Sequence, residues 1–520
     1  MAPPATMSPN PPHMASAAEL LEKMRHGDIS SVSLLEALLT RIQQHNPRLR
    51  AICVLDAERA RARAAAADVA RKKKTLWGPL HGLCLTVKEQ NDIAGLPTTH
   101  GDPARTHAPP AAATDFLVQH LERAGAIVFG KSNVPLSCAD VQTYNALHGT
   151  CNNPWDESRT AGGSSGGSAA ALAARLTPLE LGSDIGGSIR VPAAHCGVFG
   201  LKTTFGILPR LGATCDAPHV PGRDLSVRGP MARTAADLEL LLTVLTSAPH
   251  PHADFWRLQL PRPVPAKTQS LGAYRVAVWP SEPPLAPIGE EVAAAVQRVA
   301  GALTAAGAHV DAAARPAFDP SVSHKVYLQL LGAAQTAQTP ASTRRGWAPP
   351  AGADAQHLWE RVESGGPLEQ ASLTQSAWQH AAADRRRHEL RAAWRRFFRE
   401  GGWDAVLMPV YPLPAIAHDH RADPPLQPGT SDEPYWRPGP RTLEVDGTHI
   451  PYCDGVFWAG LATVSYLPAL AFPAGRGETT GLPVGLQLVG PEGADFLLIE
   501  LARLLETEAK FVCEVPPGVN

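Results

Sequence analysis

Apolar positions recur along this chain in two rhythms, a helical one and a continuous strand-like one, and their alternation predicts a sheet flanked by helices. Between Ser16 and Gln44 the spacing predicts two helices broken at Gly27. The second is capped by Ser30 or Ser31 and carries Leu34, Leu35, Leu38, Leu39 and Ile42 on one stripe. Asn46-Pro47 is expected to stop it, and a third helix is read from about Leu55 to Arg71, where the basic run Arg71-Lys72-Lys73-Lys74 reads as a solvated helix end. The turn Gly78-Pro79-Leu80-His81-Gly82 then leads into Leu83-Cys84-Leu85-Thr86-Val87, a buried strand, with Lys88 where it ends. Thr114 is expected to cap a helix through Ala124, closed by Gly125 and followed by a strand from Ala126 to Phe129. Later segments predict a helix from Ala235 to Thr246, a strand from Tyr274 to Trp279, an amphipathic helix from Glu290 to Ala306 and a strand from Ala308 to Asp311. From about 320 to 440 the pattern loosens into proline-bearing turns and one basic helix, Ala383 to Glu400, whose Trp394, Phe397 and Phe398 read as a packing face. Asp404 to Met408 and Leu482 to Val489 return to strand pattern.

One stretch departs from both rhythms. Arg159 to Gly206 contains two glycine-serine clusters, Gly162-Gly163-Ser164-Ser165-Gly166-Gly167-Ser168 and Asp184-Ile185-Gly186-Gly187-Ser188, separated by an alanine-rich helix and a short apolar strand. Glycines beside a serine let the backbone approach a reacting carbonyl and let successive N–H groups converge, which is the local chemistry of a serine nucleophile with an oxyanion hole. Flexible linkers have a similar composition, but linkers are not usually set between Leu179-Glu180-Leu181 and Ile189-Arg190-Val191-Pro192. Neither cluster continues into the Gly-Lys-Ser/Thr of a phosphate-binding loop or has the spacing of a dinucleotide fingerprint. The first cluster satisfies the nucleophile-elbow pattern of α/β-hydrolases, yet Asn153 to Arg159 before it is polar and proline-bearing rather than a buried strand.

Composition narrows the partners. The 520 residues carry a formal net charge of −2, which argues against nucleic acid or an anionic membrane as the main partner. No apolar run approaches bilayer-spanning length, and the amino terminus lacks the regions of a signal peptide, so residues 1–13 read as a disordered leader. Eight cysteines without a C-x-x-C pair suggest reduced thiols in a cytoplasmic protein; Cys151 and Cys196 read as small buried hydrophobes rather than nucleophiles. No H-E-x-x-H or clustered Cys/His spacing appears, so neither metal nor cofactor is expected.

From Gly162 to Pro192 the chain resembles the amidase signature family, serine hydrolases with a Ser–Ser–Lys triad and no histidine; further similarity runs from about Trp77 to Pro230 and from Asp404 to Leu505. The resemblance implies an α/β fold, one large domain with a central mixed twisted sheet and helices on both sides. It would span residues 14–520, with 77–230 as the signature core and about 320–440 as a variable cap over the pocket. It further implies Ser188 as nucleophile, Ser164 as bridging serine 24 positions earlier, and Lys88 as base, because the family's lysine follows just such a turn and strand. Without the resemblance, a lysine ending an apolar strand reads as a snorkelling surface residue. The oxyanion hole would comprise the amides of Ile185, Gly186, Gly187 and Ser188, and Cys138 and Gly163 would contact substrate. The family's bridging serine follows a cis peptide bond, which here falls at Gly163–Ser164. Ser165, Asp184 and Arg190 read as groups that order the loops, and His195 as a structural histidine.

The expected activity is hydrolysis of carbon–nitrogen bonds in small, apolar or aryl amides through an acyl-enzyme; esters and carbamates remain open because related members cleave them. The rival is a subunit of a tRNA-dependent amidotransferase, which usually carries threonine where Ile185 stands. Trp347, Trp436 and Trp458 suggest an apolar acyl group, and a homodimer is left open as the assembly.

Overall fold

The computed structural model describes residues 11–209, 223–249, 258–336, 371–372, 374–420 and 441–519. Cys215, Trp347, Trp436, the proline turns at 349–350, 424–425 and 438–440, and residues 1–10 of the expected leader lie outside them. Residues 11–13 are described, and His13 belongs to a 3-10 turn whose ring faces Arg41.

Eleven strands form one mixed sheet. In chain order they are β1 (Ile52–Leu55), β2 (Cys84–Lys88), β3 (Ile127–Ser132), β4 (Leu179–Asp184), β5 (Phe199–Lys202), β6 (Val227–Ala232), β7 (Arg275–Val278), β8 (His309–Asp311), β9 (Ala405–Pro409), β10 (Ala469–Arg476) and β11 (Pro483–Val489). Across the sheet they run β1-β3-β2-β4-β6-β5-β10-β11-β9-β7-β8. β2 is parallel to both neighbours, whereas β4, β6, β5, β10, β11 and β9 pair antiparallel in turn. Most strands are buried along their whole length, which explains their runs of apolar residues without alternation.

Twelve α-helices flank the sheet among the described residues: α1 (Ala17–His26), α2 (Ser31–Leu49), α3 (Ala57–Lys72), α4 (Phe116–Arg123), α5 (Gly166–Ala173), α6 (Arg190–Cys196), α7 (Ala235–Thr246), α8 (Glu290–Ala305), α9 (Pro320–Thr336), α10 (Ala377–Gly401), α11 (Phe457–Val464) and α12 (Asp495–Thr507). None is long and apolar enough to cross a membrane. The break at Gly27 is a left-handed cap, and Ser30 rather than Ser31 closes α2 through a capping box.

Several expectations need correction. Pro47 does not stop α2, which continues to Leu49. Pro47 lies in the last turn, and the Asn46 side chain both accepts from the Ile52 N–H and donates to its carbonyl, fixing the exit. Asp115 rather than Thr114 caps α4, its carboxylate accepting from the Leu117 and Val118 amides while Thr114 accepts from Ala94. Leu55 belongs to β1, and α3 begins two residues later. The basic helix is longer than expected, and its Trp394 and Phe398 pack with Trp279, Trp458 and Phe318 in an aromatic cluster. Trp458 is therefore core, not pocket wall.

Candidate active site

The site begins where two parallel strands end side by side. β2 and β4 are registered Thr86↔Glu180 and Val87↔Leu181, so Lys88 and Ser183 emerge at the same edge of the sheet. Lys88 is wholly buried; its Nζ donates to Ser164 Oγ at 2.6 Å and Ser183 Oγ at 3.0 Å. Ser183 Oγ in turn donates to Gln90 Oε1 at 3.0 Å. Ser183 and Gln90 were not expected in the site. Position was the available signal, one residue before the cluster's aspartate and two after the lysine.

The two glycine-serine clusters become two loops stapled to each other. The Ser165 amide donates to the Ser188 carbonyl at 3.0 Å, so the residue next to Ser164 is bonded directly to Ser188. Ser165 Oγ reaches the Ser183 carbonyl at 3.4 Å, in keeping with a loop-ordering role. The Gly163–Ser164 peptide is cis. Gly163 cannot carry a side chain, because a Cβ there would sit 2.6 Å from the Asp140 carbonyl oxygen. The loop behind it is held by a buried network that sequence reading missed. Asp140 accepts from Arg441 at 2.9 Å and from the Tyr452 hydroxyl at 2.7 Å, and Gln142 Nε2 donates to that hydroxyl.

Asp184 and Arg190 order the second loop. The guanidinium grips the carboxylate through Nε at 3.0 Å and Nη2 at 2.9 Å, and both side chains are fully buried. The same carboxylate accepts from the Gly187 N–H at 3.0 Å and the Ile189 N–H at 3.1 Å. Arg190 spends its remaining donors on the Ala459 carbonyl, Gln487 and Thr463. Burial works to raise the Asp184 carboxyl, but Arg190 and the backbone amides outweigh it and hold the group below the ordinary carboxylate range. Of the four amides expected to bind an oxyanion, that of Gly187 thus has an acceptor already.

His195 is buried on α6 with its ring edge-on to Tyr411 at 5.3 Å, and burial lowers it to about 4. It is a neutral packing histidine. Cys151 and Cys196 are buried too, and burial pushes both thiols up, away from the thiolate a nucleophile needs. Cys138 ends a 3-10 turn in a left-handed conformation and lies within electrostatic reach of Lys88; burial raises its thiol.

A family model described as Amidase matches residues 33–499. The chain belongs to the amidase family. Among relatives of this amidase, an indoleacetamide hydrolase of Bradyrhizobium diazoefficiens is 32% identical over 95% of this chain and 86% of its own. One subunit of the glutamyl-tRNA(Gln) amidotransferase of Halorhodospira halophila is 31% identical over 97% of this chain and 99% of its own. The crystal structure of a bacterial aryl acylamidase of the amidase signature enzymes shares the fold, with a TM-score of 0.79 at 23% identity, covering 98% of this chain and 99% of that one. The protein is therefore an amide-hydrolysing enzyme built on the amidase signature fold.

Beneath the lysine of this amidase lies a further polar cluster. Glu180 is fully buried on β4 and accepts from Thr86 Oγ1 at 2.5 Å, on the face of β2 that also carries Lys88. Ser132, registered opposite Lys88, shares a hydrogen bond of 2.8 Å with Ser168 of α5. Burial raises the Glu180 carboxyl to about 7, with the Thr86, Ser168 and Ser132 hydroxyls and the charge of Lys88 pulling it back down.

Proposed function

We propose that this amidase cleaves amides of small apolar or aryl acids through an acyl-enzyme on Ser188, with Ser164 as the bridge and Lys88 as the base. The reading is carried by the Lys88 Nζ bond to the Ser164 hydroxyl at 2.6 Å, supported by the backbone bond from the neighbouring Ser165 amide to the Ser188 carbonyl at 3.0 Å. Lys88 accepts a proton only when neutral, and its burial disfavours the charged ammonium. In the first step Ser188 Oγ attacks the carbonyl carbon. Its proton passes to Ser164 while Ser164 gives its own to Lys88 Nζ. The electron pair of the C=O bond moves to oxygen, which faces the amides of Ile185, Gly186 and Ser188 ahead of the engaged Gly187. Collapse breaks the C–N bond, and Lys88 returns the proton through Ser164 to the leaving nitrogen. Water then repeats the sequence on the ester and releases the acid.

An apolar or aryl acyl group is supported by the buried cluster beside the oxyanion loop, where Ile185 and Val141 meet Leu225, Tyr327 and Val456. The relative that acts on indoleacetamide has a substrate of this kind. Cys138 and Gly163 are assigned to the substrate-facing rim. The amidotransferase reading is favoured by the near full-length match to the Halorhodospira halophila protein and disfavoured by Ile185 in place of threonine.

Ser188→Ala should lower kcat about a million-fold, and Lys88→Ala nearly as far, with cooperative unfolding retained in both. Full activity in either variant refutes the mechanism. A panel of aryl amides, aliphatic amides, esters, carbamates and glutamine decides the class; glutamine hydrolysis that requires added partner proteins would move the assignment to the second reading.

A further inference from the structure

The oxyanion loop is fastened from two directions, only one of which belongs to the glycine-serine motif. From the motif's side, the Asp184 carboxylate takes the Gly187 and Ile189 amides. From the other side comes Tyr327 of α9, a fully buried residue whose hydroxyl donates to the Ile185 carbonyl at 3.1 Å. The carbonyl and N–H of one trans peptide point in opposite directions across a rigid plane. Tying the Ile185 carbonyl to α9 therefore turns the Gly186 N–H away from α9. The loop passes close beneath the phenol, since a Cβ on Gly186 would sit 3.3 Å from the Tyr327 oxygen.

The ring itself is closely confined. It lies flat against α11, where a Cβ on Gly460 would come within 2.6 Å and 2.8 Å of ring carbons Cδ1 and Cε1. Val326, Leu330 and Leu331 pack in the same apolar cluster. Burial raises the phenol, so the hydroxyl stays a neutral donor at working pH.

We infer that Tyr327 is a positioning residue, whose hydroxyl holds the Ile185–Gly186 peptide so that the Gly186 amide is aimed at the oxyanion before substrate arrives. The inference rests on the seryl acyl-enzyme reading. A donor already aimed needs no reorganisation as charge develops on the carbonyl oxygen, which is where oxyanion holes gain their advantage. It also joins the acyl-pocket wall to the catalytic loop through one side chain.

The test is Tyr327→Phe, which keeps the ring and deletes one hydroxyl. Two probes follow it: the second-order rate of labelling by an alkyl fluorophosphonate, and the inhibition constant of an aryl trifluoromethyl ketone, whose adduct carries an oxyanion. Both should worsen about tenfold, the equivalent of one hydrogen bond. The label should stay on Ser188, and the midpoint of the rate–pH profile should not move, because Lys88 is untouched. Measuring both probes per folded molecule, with unfolding by denaturant as the control, separates this from simple loss of protein. Wild-type values for both probes overturn the inference, as does a shifted pH midpoint. Ser188→Ala, run alongside, tests the underlying reading separately: persistent labelling there sinks the mechanism itself, whereas loss of labelling there with an unaffected Tyr327→Phe sinks only the role of the tyrosine.

Discussion

Two buried ion pairs each order one of the glycine-serine loops, and they are built in opposite ways. Asp184 and Arg190 stand six residues apart, one at the end of β4 and the other at the start of α6. Asp140 and Arg441 stand 301 residues apart, and their contact forms only when distant parts of the chain have come together. The first pair also engages three other partners of Arg190, in α11 and β11. The second is backed by tyrosine hydroxyls, Tyr452 at 2.7 Å and Tyr144 at 3.3 Å. The loop bearing Ser188 is thus organised locally and then locked to the sheet, whereas the loop under Gly163 takes its shape from a remote segment. The Arg441 segment thus reaches the Gly163 loop through Asp140, whereas the Ser188 loop is tied to α9, α11 and β11 through Tyr327 and Arg190.

The sharpest way to break this contrast is to remove each cation. Arg190→Met leaves Asp184 buried without its partner and takes a donor from Ala459, Gln487 and Thr463. It should cost about 3–5 kcal/mol in denaturant unfolding and abolish turnover; a cost no larger than that of Arg441→Met would refute the ranking. Arg441→Met leaves Asp140 with two hydroxyls and should cost about 2 kcal/mol, with activity reduced rather than lost. A smaller effect tests the charge on Asp184 through pH. The folded Asp184 carboxyl lies below its unfolded value of about 3.9, so its contribution is complete above that pH and disappears as pH falls through the folded value. The stability gap between wild type and Asp184→Asn should be constant from about pH 5 to 8 and narrow below about pH 4. A gap that widens in acid contradicts the assignment of charge.

The same contrast accounts for what could be read from the chain. The turn before β2, the two clusters and the Asp184/Arg190 bracket lie within short spans, so the glycine-serine loops stood out from local chemistry, while Lys88, Ser164 and Ser188 were singled out by the family resemblance. Helices with a solvent face, such as α7 and α8, were legible to within a residue. α11 was not: all eight of its residues are buried, so it has no polar face to set a period. β10 likewise runs apolar on both faces. Tyr327, Arg441 and Tyr452 acquire their roles only through contacts across more than a hundred residues, which no local pattern encodes. The misplaced helix ends at Pro47 and Thr114 have a different origin, since a neighbouring side chain overrode the propensity in each case.

The central claim is that Ser188 is the attacking group, and the most direct measurement is the site of covalent modification. Wild-type protein treated with a fluorophosphonate and digested should show one adduct by mass spectrometry, on the peptide containing Ser188, and none in Ser188→Ala. An adduct on Ser164 or Ser183 instead, or one that persists in Ser188→Ala, would contradict the account.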